Sequence, residues 1–490
     1  MDNEITDNEI TAAGGYVGPA SRMLALENEY IAAMESLGGD EAGRAAAQDY
    51  LLHSTAIYKG EVIRIGYIPK LFDAPMLAYM DFVQRTTYRI LEKVQARFMV
   101  DADYRALFKF EPELERLIML PAGYDCAIPI GRFDIFLDEE TLDFKFCEFN
   151  TDGSSAMNED RESVDSLAIT PTFAKMSETH ELRRQELFDG WVDEFIRIYD
   201  GYDLKIDDPT MAIVDFNHSA SHTEFDEFVR RFEARGMRTS IAWMDELVYR
   251  EADAGSPAGL YTRDGRRIDI VYRRAVTAEI MDALEGRGAT SEETEGASAL
   301  VKAFERREVC LIGAFQTHIS HCKQIFQVLW HPMTAEMLTP EEVEFVHAHV
   351  PATTFLVPEE VDIERVVAEK DAWIIKPSDR YGSSNVYAGM DHDAAEWERL
   401  VRENVGEDYI AQEYCRQYAT PNCRPYPPGE PLEPWNNLIG YYNYGGKLGG
   451  LFNRAGQAGL IVGYMGGITV PTLIVDCDQS KLGLGCLLSR

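Results

Sequence analysis

Between residues 130 and 155 the chain carries two short stretches whose polar side chains fall at alternate positions. They are Arg132-Phe133-Asp134 and Cys147-Glu148-Phe149-Asn150-Thr151-Asp152-Gly153-Ser154-Ser155. Alternation is the period of an extended strand, in which residues two apart share a face. The pattern predicts a strand over 141–149 and a second one just before it. Glu148 and Asn150 then share one face, and Arg132 and Asp134 share a face of the neighbouring strand. Two carboxylates and a carboxamide suit Mg²⁺, a hard cation that takes oxygen ligands, and a guanidinium suits phosphate. The combination points to ATP chemistry. Alternation by itself ordinarily marks a solvated sheet face. Here Leu142, Phe144, Phe146 and Phe149 surround the polar positions, so the strand reads as buried, and buried carboxylates are rarely left unpaired. The turn at 151–155 adds hydroxyls and backbone N–H groups able to cradle phosphate.

Such a hairpin obeys a parity condition. Opposed residues in an antiparallel pair share a face, and their numbers sum to a constant. For Arg132 and Asp134 to share a face with Glu148 the constant must be even, so the loop must have an odd length. A three-residue loop at 139–141 sets Arg132 opposite Glu148, and a five-residue loop at 138–142 also satisfies parity. An even loop with regular pairing throws Glu148 to the far face, since a one-residue slip flips every side chain.

At 490 residues the chain is too long for one simple core. Its 46% hydrophobic and 11% aromatic content is that of a globular protein. A formal net charge of -36 argues against nucleic acid and against an anionic membrane surface, both of which need basic patches. No window approaches the 18 or so apolar residues of a membrane span. Residues 1–22 are acidic and polar, without the basic flank and apolar run of a signal peptide, and read as a short disordered leader. The eight cysteines are dispersed with no Cys-x-x-Cys pair, so a structural zinc site is not expected. A reducing cytoplasm fits best.

Helical spacing marks 23–37, 42–58 and 76–100. Period two takes over at 121–150, and helix returns at 160–200. The order strand 211–216, helix 224–235, strand 238–243 implies a small parallel sheet. A hairpin is expected at 260–262 and 268–272, a loop or weak helix end at 285–297, a helix at 320–330, and a strand-rich end with strands at 373–375, 385–388, 409–414, 438–444 and 448–452. Pro-rich 420–435 reads as a surface excursion. The divisions are a leader (1–22), a helical region (23–120), a first core part with the hairpin (121–200), an α/β unit (201–310) and the remaining core (311–490).

Other candidates are weaker taken singly. Lys376 ends a buried strand and is followed by Ser/Gly-rich 378–384, which suits phosphate binding under a mobile lid or is an ordinary loop. Gln412, or the backbone beside Glu413, suits an adenine edge, or these residues lie on a solvated edge strand. Lys323 near a helix start opposes the helix dipole unless an anion compensates, or it is a plain surface lysine. His318 and His321 read as capping or surface residues. Nine glycines between 445 and 467 surround Asn453 and Arg454.

In order and number these segments resemble the glutathionylspermidine synthase-type family, the circularly permuted ATP-grasp ligases, from about Gly131 to the C-terminus. The matching residues are Arg132-x-Asp134, Cys147-Glu148-Phe149-Asn150 with Asp152 and Ser155, Lys323 before Val328-Leu329-Trp330, Lys376-Pro377 with Asn385-Val386, and the strand 409–414. Asp264-Gly265 and 268–274 resemble the family's pre-ATP-grasp segment. The resemblance implies an α/β (α+β) fold with a permuted ATP-grasp core. It also implies ATP and two Mg²⁺ ions as cofactors, held by Asp134, Glu148 and Asn150. Lys323 and Lys376 would contact ATP phosphates, Ser155 the transferred phosphate, and Gln412 and Glu413 the adenine. Arg132 would stabilise the acyl phosphate, with Arg380 in the lid. The implied reaction joins a small-molecule or peptide carboxylate to an amine through an acyl phosphate.

The family's lid reads Gly-Arg-Glu-Gly after Lys-Pro. Here it is Arg380-Tyr381-Gly382-Ser383, with the arginine displaced and the glutamate absent, so the substrates stay open. Residues 1–130 lack the Cys/His amidase domain of some members, and hydrolase activity is not expected. The altered lid leaves two alternatives: a silent nucleotide-binding scaffold and a kinase of a small hydroxyl substrate.

Overall fold

A computed structural model describes residues 22–58, 60–379, 385–461 and 466–477. At its centre is a six-stranded antiparallel sheet. Its strands run in the order Ile468–Val470, Lys447–Gly456, Glu433–Tyr444, Ile130–Leu137 and Phe144–Asn150, and Ala419–Asn422 also pairs with Glu433–Tyr444. One face of the sheet is apolar. Phe133, Ile135, Phe146, Phe149, Ile439, Tyr441 and Leu451 join the core with Met80, Val83, Leu91 and Val94 of the helix Ala74–Val100. That helix starts where Asp73 accepts the Met76 N–H at 3.1 Å, with Pro in its first turn, as N-terminal chemistry favours. The opposite face of the sheet carries the charged residues.

The site hairpin departs from the expected loop. Arg132, Phe133 and Asp134 pair with Asn150, Phe149 and Glu148, but Ile135, Phe136 and Leu137 pair with Phe146, Lys145 and Phe144. The strand begins at Phe144, and the loop 138–143 has an even length. Asp138 builds it, its Oδ1 accepting the N–H groups of Glu140 and Thr141 at 2.9 and 3.0 Å, while Leu142 takes a φ of 63°. Alone, this loop would turn Glu148 into the core. A β-bulge at Cys147 restores parity: the pairing sum is odd near the tip and even at the site. Phe144, Phe146 and Phe149 are all buried, each stabilising the fold by roughly 1.5–3 kcal/mol. The unpaired ladder position of a bulge costs only about 1 kcal/mol, so core burial sets the register. Asp134, rather than Arg132, faces Glu148.

Two further sheets flank the centre. Cys310–Ile312, Ile270–Arg273, Thr210–Asp215 and Arg238–Trp243 form the expected parallel sheet. Thr353–Leu356, Gly406–Glu413, Trp373–Pro377 and Tyr387–Ala388 form a small antiparallel sheet that carries Lys376.

Several expected elements differ. The second helix ends at Leu52, and Ile57–Tyr58 pairs with Glu61–Val62 around Gly60 at φ 80°. Residues 268–272 split between sheets: Arg267–Ile268 completes a hairpin with Gly259–Thr262, and Ile270–Arg273 enters the parallel sheet. Residues 291–297 are not loop, because Thr290 and Glu293 form a capping box that starts the helix Ser291–Glu305. The helix expected at 320–330 breaks into His318–His321 and Gln324–Trp330, because the Lys323 N–H donates to the Ser378 carbonyl at 3.0 Å. Ala419–Asn422, placed in a surface excursion by its prolines, is a strand with Thr420 and Asn422 buried.

Candidate active site

The charged face of the central sheet opens into a cavity of about 520 Å³. Lys323 reaches it from the break between the two short helices, and Lys376 from the last turn of its strand. Arg132, Glu148, Asn150 and Ser155 line it from the hairpin, and Gln412 and Glu413 from the small sheet. Segments far apart in sequence therefore meet. Arg380 and most of the expected lid, residues 380–384, lie outside the described residues.

Within the hairpin the polar groups bond to one another. Arg132 grips Asp134 with two parallel bonds, Nε to Oδ1 at 2.7 Å and Nη2 to Oδ2 at 2.9 Å. Asn150 Nδ2 donates to Asp134 Oδ2 at 3.1 Å and to Glu148 Oε1 at 2.9 Å. The remaining arm of Arg132 donates to the Ser155 carbonyl at 3.1 Å, which also accepts the Tyr442 hydroxyl at 2.8 Å. Gly440 makes room for this. It pairs with Asp134, and a Cβ there would lie 2.6 Å from Asp134 Oδ1 and 2.7 Å from Arg132 Cδ. The Arg132 guanidinium crosses above it to lie 5.2 Å from the Phe452 ring centre.

Electrostatics distinguish the two carboxylates. Burial pushes Asp134 above the usual carboxylate range even with Arg132 pulling it down. Burial acts on Glu148 too, but Lys323, the Asn150 hydrogen bond, Arg132 and Lys376 outweigh it and hold Glu148 below that range. Lys323 is pushed down by burial, pulled back by Glu148 and pushed down again by Lys376. Opposed like charges in one pocket indicate a site for an anion. Lys376 Nζ donates to Gln412 Oε1 at 2.7 Å, and Gln412 Nε2 donates to Thr353 at 2.9 Å. The Gln412 side chain is thus engaged at both ends and holds the lysine. The chain from Glu413 to Cys415 lines this end of the cavity beside Ile374, Phe136, Phe146 and Leu438.

The turn at 151–155 is tied inward more than expected. Asp152 pairs with Arg273 and accepts the Thr277 N–H at 2.6 Å, and Thr151 donates to the Thr317 carbonyl at 2.8 Å. Ser154 donates to the Asn150 carbonyl. Ser155 is the turn hydroxyl residue left beside Arg132. His318 and His321, expected as capping or surface residues, are core and cavity residues instead: His318 is 1% exposed and His321 lines the cavity. Burial pushes His321 down to about 4, so it is neutral at pH 7.

Sequence reasoning missed the far wall: Tyr58, Glu61, Arg64, Glu159, Arg454 and Thr469. Arg454 lies 4.9 Å from the Phe452 ring centre and makes no ion pair with a described residue. Its pairing with Leu438 puts it on the same face as Phe452 and Asp134. The available signal for Arg454 was its place in the glycine-rich stretch 445–467. Among the described residues, no three His, Cys, Asp or Glu side chains are grouped to hold a metal. The set Asp134, Glu148 and Asn150 contains only two carboxylates, and one of them is already neutralised by Arg132. Its donors are all oxygens, which fits Mg²⁺, with Glu148 as the carboxylate still unpaired by a guanidinium.

Residues 232–438 match the family model described as circularly permuted ATP-grasp type 2. The chain has a circularly permuted ATP-grasp fold. The match includes Lys323, Lys376, Gln412 and Glu413, whereas the hairpin and Arg454 lie outside it. A solved structure of a glutathione synthetase-like effector from Globodera pallida superposes with a TM-score of 0.53 at 11% identity, covering 88% of this chain and 96% of that one. A putative gamma-glutamylcysteine synthetase from Methylobacillus flagellatus KT gives 0.38 at 12% identity over 80% and 86%. The ATP-grasp ligase PsnB with minimal precursor, Mg and ADP gives 0.25 at 18% identity over 43% and 66%. No curated protein matches the sequence significantly. No helix among the described residues is long and apolar enough to cross a membrane.

Proposed function

We propose that this ATP-grasp protein is an ATP-dependent ligase that joins a carboxylate to an amine through an acyl phosphate, releasing ADP and phosphate. The observation that carries the reading is the meeting of Lys323 and Lys376 with Arg132, Glu148 and Asn150 in one cavity, with Asp134 bonded behind them. Phosphoryl transfer of this kind needs positioning and neutralisation of charge, and no protein nucleophile. Lys323 and Lys376 neutralise the phosphates. The apolar end between Phe136, Phe146 and Ile374 takes the base against the backbone of 413–415. Glu148 and Asn150, with Asp134 behind them, would hold Mg²⁺. When bound, the ion neutralises charge on the phosphates. Arg132 has one arm beside Ser155 and faces the reacting group, with Asp134 fixing its plane. The wall with Arg64 and Arg454 receives the acid. Glu61 and Glu159 on the same wall suit a cationic amine, which must lose a proton before it attacks.

The test is a screen of acids against amines with ATP and Mg²⁺, read as ADP release, with mass spectrometry of the product. A ligase releases ADP only when acid and amine are both present, and the product mass is their sum less water. A stable phosphate ester formed without amine would identify a kinase. Nucleotide binding without ADP release across the screen would favour a scaffold.

A further inference from the structure

His318 does not itself line the cavity, but it lies against Asp152, which does. It is buried, and Phe110 lies against it with ring centres 5.5 Å apart. Its Nε2 is 2.7 Å from Asp379 Oδ1, and its Nδ1 is 3.9 Å from Asp152 Oδ2. These carboxylates belong to opposite halves of the site. Asp379 lies three residues beyond Lys376, and the intervening Ser378 accepts the Lys323 N–H at 3.0 Å and donates its own N–H to the Asp408 carbonyl at 2.7 Å. Asp152 lies two residues beyond Asn150, and Arg273 and Thr277 fix it on its other side.

We infer that His318 is a positioning residue for the nucleotide site, joining the segment that presents Lys376 and Lys323 to the turn that follows Glu148 and Asn150. The inference rests on the reading of the cavity as a Mg-ATP site. The Lys376 strand is held in the small sheet along Trp373–Pro377, and beyond the strand Ser378 meets the Lys323 break through a backbone hydrogen bond. The imidazolium is hydrogen-bonded to Asp379, a bond of the short, strong kind made between ionised partners, and it attracts Asp152 across 3.9 Å without a hydrogen bond, so it draws both segments together. The two carboxylates outweigh burial and hold the His318 imidazolium up to about 9, so the group is charged at neutral pH. His321, one turn away, stays neutral. His318 does not line the cavity, and it acts through Asp379.

The experiment measures the Mg-ATP dissociation constant of the full chain by calorimetry and its melting temperature, for wild type, His318→Leu, His318→Gln, Asp379→Asn and the His318→Leu/Asp379→Asn pair. His318→Leu is expected to weaken Mg-ATP about tenfold or more, as loss of a buried charged hydrogen bond does. His318→Gln, whose amide nitrogen takes the place of Nε2, is expected to recover most of the affinity. Asp379→Asn is expected to weaken binding by itself, and the pair to be no weaker than His318→Leu, because both changes remove one link. A folded His318→Leu chain with wild-type affinity overturns the inference. So does His318→Gln binding as poorly as His318→Leu, which would make the histidine a packing residue. Should His318→Leu not fold, Asp379→Asn decides, and wild-type affinity there overturns the inference. A wild-type chain that binds no Mg-ATP overturns the ligase reading and this inference with it. Wild-type binding with indifferent variants overturns this inference alone.

Discussion

The two halves of the cavity are built in opposite ways. In the hairpin half, Arg132, Asp134, Glu148 and Asn150 come from two adjacent strands and are bonded to one another. In the lysine half, Lys323 and Lys376 come from elements 53 positions apart, joined by the Lys323–Ser378 backbone bond and by His318. The first half is a product of local pairing, so its geometry depends on register. The second is a product of tertiary packing, so its geometry depends on a few cross-links. Damage to the first should remove chemistry outright, and damage to the second should weaken binding by graded amounts.

The largest effect is expected from deleting Cys147. Without the bulge, either Phe144 and Phe146 or Glu148 and Asn150 must turn to the wrong face. Misplacing two buried phenylalanines costs roughly 3–6 kcal/mol at 1.5–3 kcal/mol each. The deletion should therefore unfold the chain or abolish ADP release, as read by melting and by the acid–amine screen. A deleted chain that melts and turns over normally would remove the parity argument.

The next effect concerns pH and the lysine half. His318 has its folded-state pKa raised to about 9, above the ordinary value near 6.5. Its contribution to stability is complete below pH 6.5. It falls as the unfolded chain loses the proton, and is gone once pH passes about 9, a span worth about 3 kcal/mol. Denaturant unfolding of wild type minus His318→Gln, measured from pH 6 to 10, should show that decline. A difference that grows with pH would contradict it.

A smaller effect belongs to the lysines. Lys376→Met should weaken Mg-ATP by about 1.5–3 kcal/mol, the range for a hydrogen bond to a charged group, with Gln412→Leu weakening it less because Gln412 acts through the lysine. Equal losses for the two, by calorimetry, would put Gln412 in direct contact with nucleotide. The smallest effect is expected from Cys147→Ala, which keeps the extra residue and should stay within about 1 kcal/mol in stability. Set beside the deletion, it separates the length of the strand from the identity of its bulged residue.

The same division explains what could be read in advance. Alternation paired Arg132 with Asp134 and Glu148 with Asn150, and the bulge at Cys147 brings the two pairs to one face; the parallel sheet followed from its strand and helix order. The bulge was legible too, though missed: Phe144 and Phe146 are two apart, but Phe149 follows three later, and three core residues so spaced require one extra residue between them. Loop length could not be read, because Asp138 sets it through hydrogen bonds to the backbone. The break at Lys323 was invisible for another reason. Residues 318–330 have helical spacing throughout, and the interruption comes from Ser378, an acceptor more than fifty positions away. The partners of Gln412, Lys376 and Thr353, could not be read either, since they are brought to it by the sheet. The far wall escaped because Arg64, Glu159 and Arg454 come from a loop, a helix and a strand far apart in sequence, and tertiary packing alone brings them together.

The central claim is that the hairpin and the lysines form one site at which Mg²⁺ and ATP bind together. It is tested most directly by titrating ATP into the wild-type and Glu148→Ala chains across a series of Mg²⁺ concentrations, by calorimetry. The account predicts wild-type affinity that rises with Mg²⁺, and a Glu148→Ala chain that melts normally but binds ATP with little or no response to the ion. A Glu148→Ala chain with the same affinity and the same Mg²⁺ response as wild type would contradict it.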